Sequence, residues 1–285
     1  MKRLIAVLAT TIAALSLSAQ AQDGVVAPEL IAVVEARSDE DRARDVYRHP
    51  AKTLAFFKVA PGMTVAEALP NGGWYTNILA NYLGGDGAIY GVNYSDRTWP
   101  LFGFMSKKAI ERSVKSTREF PGKVGDFTDN GIKAVGFTFN TVPPELAGTA
   151  DRVLLIRALH NLNRFEAQAG TRTQALAAVR SLLEDDGLVG VVQHRLPEDA
   201  PEEGSDGSRG YLKQSQVIAM FESAGFTLVA SSEINANPKD KPGPTDIVWR
   251  LPPGYNGSKD DPEKRAAMAA IGESDRMTLL FSKDS

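Results

Sequence analysis

From Met63 to the C-terminus, short runs of β-branched and apolar residues alternate with longer stretches in which apolar positions recur every three or four residues. A period of two marks a strand with a buried face, and a period of 3.6 marks a helix with one apolar stripe. The pattern predicts strands at Met63–Leu69, Ala88–Asn93, Lys133–Phe139, Asp151–Arg157, Gly187–His194, Phe226–Ile234 and Met277–Phe281. It predicts helices at Trp74–Leu83, about Phe104–Arg118, Thr171–Leu183 and Gln214–Ala224. Thr171-Arg172-Thr173-Gln174 reads as a capping box, and Gly225 as a helix C-terminal cap. Alternation of this kind implies an α/β fold, a parallel sheet covered on both faces by helices.

Two stretches break the alternation. Pro28 to Arg37 reads as a helix, followed by a charged segment that runs into Tyr47-Arg48-His49-Pro50, where the proline ends or bends any helix that reaches it. These pieces are expected to form a lid over a pocket or, more plainly, a solvated helical extension. Asn235 to Arg276 is rich in Pro, Gly and Asp and reads as an insertion before the last strand. Within it Asp261-Pro262-Glu263 opens a short helix through about Ala270. Glu198–Gly210 reads as a mobile loop.

The N-terminus changes the picture of where the chain works. Lys2 and Arg3 precede an apolar stretch from Leu4 to Leu17, and Ala19-Gln20-Ala21 supplies small residues for cleavage, so 1–21 reads as a signal peptide. The mature chain is then expected in the periplasm or outside the cell. With no cysteine, disulfides and thiolate chemistry are excluded. A 43% hydrophobic content over 285 residues supplies one sizeable core. Lys+Arg 32 against Asp+Glu 35 gives a net charge of -3, so no nucleic-acid partner is expected. The expected partner is a small molecule or an envelope component, without stable membrane insertion. The three histidines form no His-x3-His pair, and no metal site is expected.

Candidate chemistry concentrates in Val65-Ala66-Glu67-Ala68-Leu69-Pro70-Asn71-Gly72-Gly73-Trp74-Tyr75-Thr76. An apolar strand ends on an acid, passes through a glycine turn and enters an amphipathic helix, which is how α/β folds build a ligand pocket at the carboxyl end of the first strand. The spacing is not the G-x-G-x-x-G of dinucleotide enzymes, which leaves a nicotinamide oxidoreductase a distant reading. An acid before the turn suits a cationic or amine-bearing ligand; a plain strand-turn-helix joint is the alternative. His160 follows the fourth strand and His194 ends the fifth, so both are expected near this turn.

The chain resembles secreted bacterial proteins predicted to be class I S-adenosylmethionine-dependent methyltransferases. The resemblance rests on Arg48-His49-Pro50, Pro61-Gly62-Met63-Thr64-Val65, the Glu67 to Thr76 run and Arg157-Ala158-Leu159-His160-Asn161. It continues through Val191-Val192-Gln193-His194-Arg195, Val248-Trp249-Arg250-Leu251-Pro252-Pro253 and Ser274-Asp275-Arg276-Met277-Thr278-Leu279, from about residue 35 onward. Glu67 and Gly73 keep the acid and a glycine of the class I pattern, while Leu69 and Asn71 stand where its first two glycines would fall.

The resemblance implies a doubly wound, Rossmann-like class I methyltransferase fold. Its sheet would be seven-stranded and mostly parallel, ordered 3-2-1-4-5 with a final pair whose last strand is antiparallel. A helical extension would cover 22–50 and the methyltransferase-like domain 51–285, with an insertion at about 235–276. S-adenosylmethionine would be the cofactor, held by Glu67, Asn71, Gly72, Gly73, Asn93 and Phe139. Arg157, His160 and Asn161 would lie nearest the transferred methyl group, His160 as a general base and the others orienting substrate. The competing reading is a methyltransferase fold without catalysis that binds another envelope metabolite or a partner protein, with His160 and Asn161 capping a loop.

Overall fold

The structure, a computed structural model, describes residues 25–284. The expected signal peptide lies outside the described residues. Eight strands are present: β1 (Thr64–Ala68), β2 (Ala88–Asn93), β3 (Lys133–Thr138), β4 (Ala150–Ile156), β5 (Leu183–Leu196), β6 (Leu212–Lys213), β7 (Phe226–Ser232) and β8 (Arg276–Lys283). The helices are α1 (Pro28–Glu35), α2 (Asp39–Arg42), α3 (Asp45–Arg48), α4 (Pro50–Phe56), α5 (Trp74–Leu83), α6 (Lys107–Arg118), α7 (Phe120–Gly125), α8 (Leu159–Arg164), α9 (Glu166–Ala169), α10 (Thr171–Leu182), α11 (Gln214–Glu222) and α12 (Pro262–Ile271).

The strands form one sheet in the order β3-β2-β1-β4-β5-β8-β7. β1 through β5 are parallel neighbours, and β8 runs antiparallel to both β5 and β7. This is the doubly wound, Rossmann-like arrangement expected for a class I methyltransferase fold. The count differs by one: Leu212 and Lys213 form a short eighth strand beside Arg195 and Leu196 of β5. Two residues are too few to leave a period in the sequence.

Period-two burial divides the core between the two faces. Ala66, Tyr90, Val92, Val153, Leu155, Val189 and Val191 face a layer that includes Leu176 and Val179 of α10 and Val217 and Phe221 of α11. Val65, Ile89, Leu154, Val192 and Leu280 face the other, where Leu30 of α1, Leu54 of α4, and Ile78 and Leu79 of α5 pack. Every strand from β1 to β5 is covered on both sides, so their carboxyl ends form the one edge where a parallel sheet can receive a ligand.

Local chemistry sets the joints. His49 adopts a left-handed conformation between α3 and α4, and Pro50 is the first residue of α4, so the proline starts a helix where the preceding one stops. The start of α10 corrects the capping-box reading. Gly170 is its N-cap, Thr171 already lies inside the helix with its hydroxyl donating to Leu162 O, and Glu166 Oε2 accepts the N–H groups of Arg172 and Thr173. Asp261 caps α12 as its sequence implies, accepting from the Lys264 N–H at 2.9 Å. The segment before β8 folds back onto the sheet: Asn235 Nδ2 donates to Thr53 Oγ1 and Thr278 Oγ1, each at 3.0 Å.

Candidate active site

The backbone after β1 makes its turn with three left-handed residues, Leu69 (φ 54°), Asn71 (φ 47°) and Gly73 (φ 84°). Asn tolerates this region and Gly enters it freely, whereas leucine pays a steric cost there of about 1–2 kcal/mol. The Leu69 N–H is anchored to Val92 O at 2.8 Å, and Asn71 Nδ2 donates to Leu69 O at 2.7 Å. Gly72 has open space where a side chain would project. A Cβ at Gly73 would lie 2.8 Å from Lys123 Cε and from the Phe127 ring. Gly73 therefore serves the turn and the packing of 120–127, and the cavity above the turn is lined by its neighbours Gly72 and Trp74.

Glu67 is buried at the end of β1, where it accepts a 2.6 Å hydrogen bond from the Thr76 hydroxyl on the first turn of α5. Burial pushes its carboxyl up to about 7, against the opposing effects of the Thr76 bond and the Lys123 ammonium. Lys123 Nζ in turn donates to Asn71 O, tying the glycine turn to α7.

A cavity of about 250 Å³ opens above this turn, lined by Glu67, Asn71, Gly72, Tyr75, Arg48 and Arg157 among others. A second, of about 70 Å³, is lined by His194, Trp249, Pro252, Pro253 and Ser274. Arg44 and Arg157 line both, so the two form a paired site over the ends of β1, β4 and β5. A larger groove of about 730 Å³ runs between α10 and α11, away from these residues.

Arginine dominates the paired site. Glu273 accepts from Arg44 at 2.6 Å and from Arg48 at 3.3 Å, and it pairs with Arg276 at 3.1 Å. Among the described residues Arg157 feels Glu273 through longer-range charge and makes no close ion pair, and Arg48 Nη2 is buried without a hydrogen-bond partner. Burial first, and then the neighbouring guanidiniums, lower Arg48 and Arg157 to about 10, so both remain charged at neutral pH. Arg157 holds a left-handed φ of 58° with its N–H on Val192 O, which turns its side chain out of the strand direction. Trp74 fixes the segment that carries Arg44 and Arg48. Arg37 and Arg48 stack over its ring at 4.8 and 4.6 Å, and its Nε1 donates to Asp41 O at 2.9 Å.

Of the three residues expected nearest the chemistry, only Arg157 lines the site. His160 and Asn161 lie on α8, which starts directly after β4 in place of the expected loop. Gln193 Oε1 accepts from the His160 N–H and faces its Nδ1, each at 3.3 Å. An amide oxygen can only accept, so His160 carries its proton on Nδ1. Burial lowers His160 to about 4. Its ring stands 5.5 Å from His194 and 5.9 Å from Trp249, behind both. His194 is the histidine at the cavity wall, sharing a 2.6 Å hydrogen bond with Ser274 Oγ. Burial, then His160 and Arg157, hold it well below 6.5, so it is neutral at neutral pH.

The adenosine contacts expected of Asn93 and Phe139 meet an obstacle. Asn93 Oδ1 accepts from the neighbouring Tyr94 N–H at 3.3 Å, and Phe139 is a core side chain. Leu69, Tyr94, Trp99, Phe139 and Leu159 are buried in one apolar cluster over the ends of β1 to β4. Tyr94 meets Trp99 edge-on at 5.0 Å, and Phe102 meets Phe165 at 4.9 Å. Tyr94 and Trp99 are buried together with Phe139, whereas the open cavity is lined by the turn between β1 and α5. The residues present thus fit the amino-acid end of S-adenosylmethionine, whose carboxylate suits Arg48 or Arg157 and whose amine suits Glu67. Asn93 and Phe139, the residues expected to hold its adenosine, are buried and do not line that cavity.

Sequence reasoning passed over Arg44, Arg48, Trp249, Glu273, Ser274 and Arg276 as site residues. A signal existed, because Arg48, Trp249, Ser274 and Arg276 fall inside the blocks that carry the family resemblance. No family profile matches the chain, and no curated protein matches its sequence. Among solved structures, it is similar to a SAM dependent methyltransferase from Aquifex aeolicus at 14% identity, covering 72% of this chain and 93% of that one with a TM-score of 0.47. The [4+2]-cyclase SpnF is 13% identical over 86% of this chain and 81% of its own, with a TM-score of 0.49. CrArsM, an arsenic (III) S-adenosylmethionine methyltransferase from Chlamydomonas reinhardtii, is 11% identical over 90% and 74%, at 0.44.

Proposed function

We propose that this chain is a class I S-adenosylmethionine-dependent methyltransferase acting on a small molecule or envelope component after export to the periplasm. The observation that carries the reading is the cavity over the glycine turn, which is lined by one buried acid, Glu67, and by the guanidinium groups of Arg157 and of Arg48, whose Nη2 has no hydrogen-bond partner. That combination suits the zwitterionic end of an amino acid. Bound there, S-adenosylmethionine would supply an electrophilic methyl group. His194 is the neutral base at the cavity wall, and Arg157 orients the acceptor. Calorimetric titration with S-adenosylmethionine and S-adenosylhomocysteine tests the reading. Saturable binding that is lost in Arg48→Gln supports it, and absence of heat with both ligands rejects it.

A second reading has its own observation. Asn93 and Phe139 are buried, Phe139 in one cluster with Tyr94 and Trp99, and neither lines the cavity; the expected signal peptide would also carry the chain away from the cytoplasm, where S-adenosylmethionine is made. Both favour a pocket protein that holds a smaller amino or carboxylic acid. Among the described residues no helix is long and apolar enough to cross a membrane.

A further inference from the structure

We infer that the paired cavity is built for an anionic acceptor, one whose carboxylate or phosphate is gripped by Arg157 and Arg44 beside His194. The inference rests on the methyl-transfer reading for the word acceptor, but its evidence is the charge of the site.

Arg44, Arg48, Arg157 and Arg276 gather round a single ionised carboxylate, Glu273. Glu67, the other acid at the cavity, is shifted toward its neutral form. Glu273 makes its close contacts with Arg44, Arg48 and Arg276, and it reaches Arg157 only through longer-range attraction, so one carboxylate serves four guanidinium groups. Arg48 is 2% exposed, lines the cavity and keeps Nη2 unpaired. Burying guanidinium charge in excess of its counter-charge is costly, and the cost is removed only by a negative group entering the site.

The cofactor cannot provide that balance. S-adenosylmethionine has one carboxylate, one ammonium and one sulfonium, so its arrival adds net positive charge while its carboxylate engages one guanidinium. The remaining compensation must come with the second substrate. The smaller cavity is shaped for it: Arg44, Arg157, His194 and Ser274 face Trp249 and Pro253 across about 70 Å³. At roughly 30 Å³ per water, that is room for a compact oxyanion. Trp249 and the two prolines, Pro252 and Pro253, lower the local dielectric beside the guanidiniums and so strengthen the attraction. An anion there also offsets the arginines that help depress His194, raising its basicity as substrate binds.

The test is calorimetric titration of the purified chain at low ionic strength with inorganic phosphate and with acetate, alone and with saturating S-adenosylhomocysteine. Saturable binding of at least one anion is expected, weakened on the order of tenfold or more in Arg157→Gln and Arg44→Gln and largely restored in Arg157→Lys. Thermal unfolding verifies that each variant is folded. Lys115→Gln, on an exposed ion pair far from the site, should leave binding unchanged. Preference for phosphate assigns a phosphate ester, and preference for acetate a carboxylic acid. Anion binding with no S-adenosylhomocysteine binding supports the anion site and removes methyl transfer from it. No binding of either anion under any condition, or equal binding by Arg157→Gln, overturns the inference.

Discussion

Replacing Glu67 with glutamine should make the folded protein more stable at pH 8. Burial disfavours the charged form of the Glu67 carboxyl and pushes it up to about 7 in the folded protein, against 4.5 for a free glutamate side chain. Below pH 4.5 both states are protonated and the residue carries no electrostatic penalty. Between 4.5 and 7 the unfolded chain ionises while the folded chain does not, so stability falls as pH rises. Above 7 the penalty is complete, at about 3 kcal/mol from 1.36 kcal/mol per pKa unit. Glutamine keeps an acceptor for the Thr76 hydroxyl but makes a weaker bond, which offsets about 1 kcal/mol. The net gain of about 2 kcal/mol corresponds to a Tm higher on the order of 4–8 °C for a chain of this size. At pH 4 the gain should vanish or reverse slightly. Thermal or urea unfolding of both proteins at pH 4, 6 and 8 reads this directly. A difference in Tm that does not change with pH, or a Glu67→Gln protein less stable than the parent at pH 8, refutes the reasoning. A buried acid whose removal stabilises the fold is kept for something other than folding, and here the same change should weaken binding of an amine-bearing ligand.

Gly73→Ala should cost roughly 2 kcal/mol of stability by urea unfolding, since it forces a Cβ into a left-handed position and against Lys123 and Phe127; unchanged stability would show that the turn relaxes freely. If His194 is the base, His194→Gln should lower turnover on an identified acceptor by roughly 10²-fold or more, while His160→Gln, behind the cavity wall, should mainly lower Tm. The reverse order in a methyl-transfer assay would restore His160 to the role its sequence position implied. Trp99→Ala should cost roughly 3–5 kcal/mol from the core yet tighten S-adenosylhomocysteine binding by opening space in the cluster that buries Phe139. Weaker binding in that variant would show that the ring supports the ligand instead.

The architecture was legible because it rests on local periodicity. Every long strand and the main helices left a period of 2 or 3.6, and the Asp261-Pro262-Glu263 cap and the glycine turn carry their conformations in residue type. What had no local signature was missed: the two-residue β6, the Glu166 cap of α10 supplied from a preceding helix, and α8 in place of a loop. The candidate site divides the same way. Glu67 and Arg157 could be named because they end parallel strands, whose carboxyl ends must converge. Arg44, Arg48, Glu273 and Arg276 lie on segments more than two hundred residues apart, and only the packing of the N-terminal helices over Trp74, with the return of 235–276 onto the sheet, makes them neighbours. His160 and His194 are alike in sequence logic, one just beyond a strand and the other at a strand's end. The Gln193 amide turns one into the core, and Ser274, from the far end of the insertion, holds the other at the cavity. Chain order alone determined the sheet and its open edge; burial and long-range charge decided which side chains that edge presents, because both depend on contacts that no local pattern encodes.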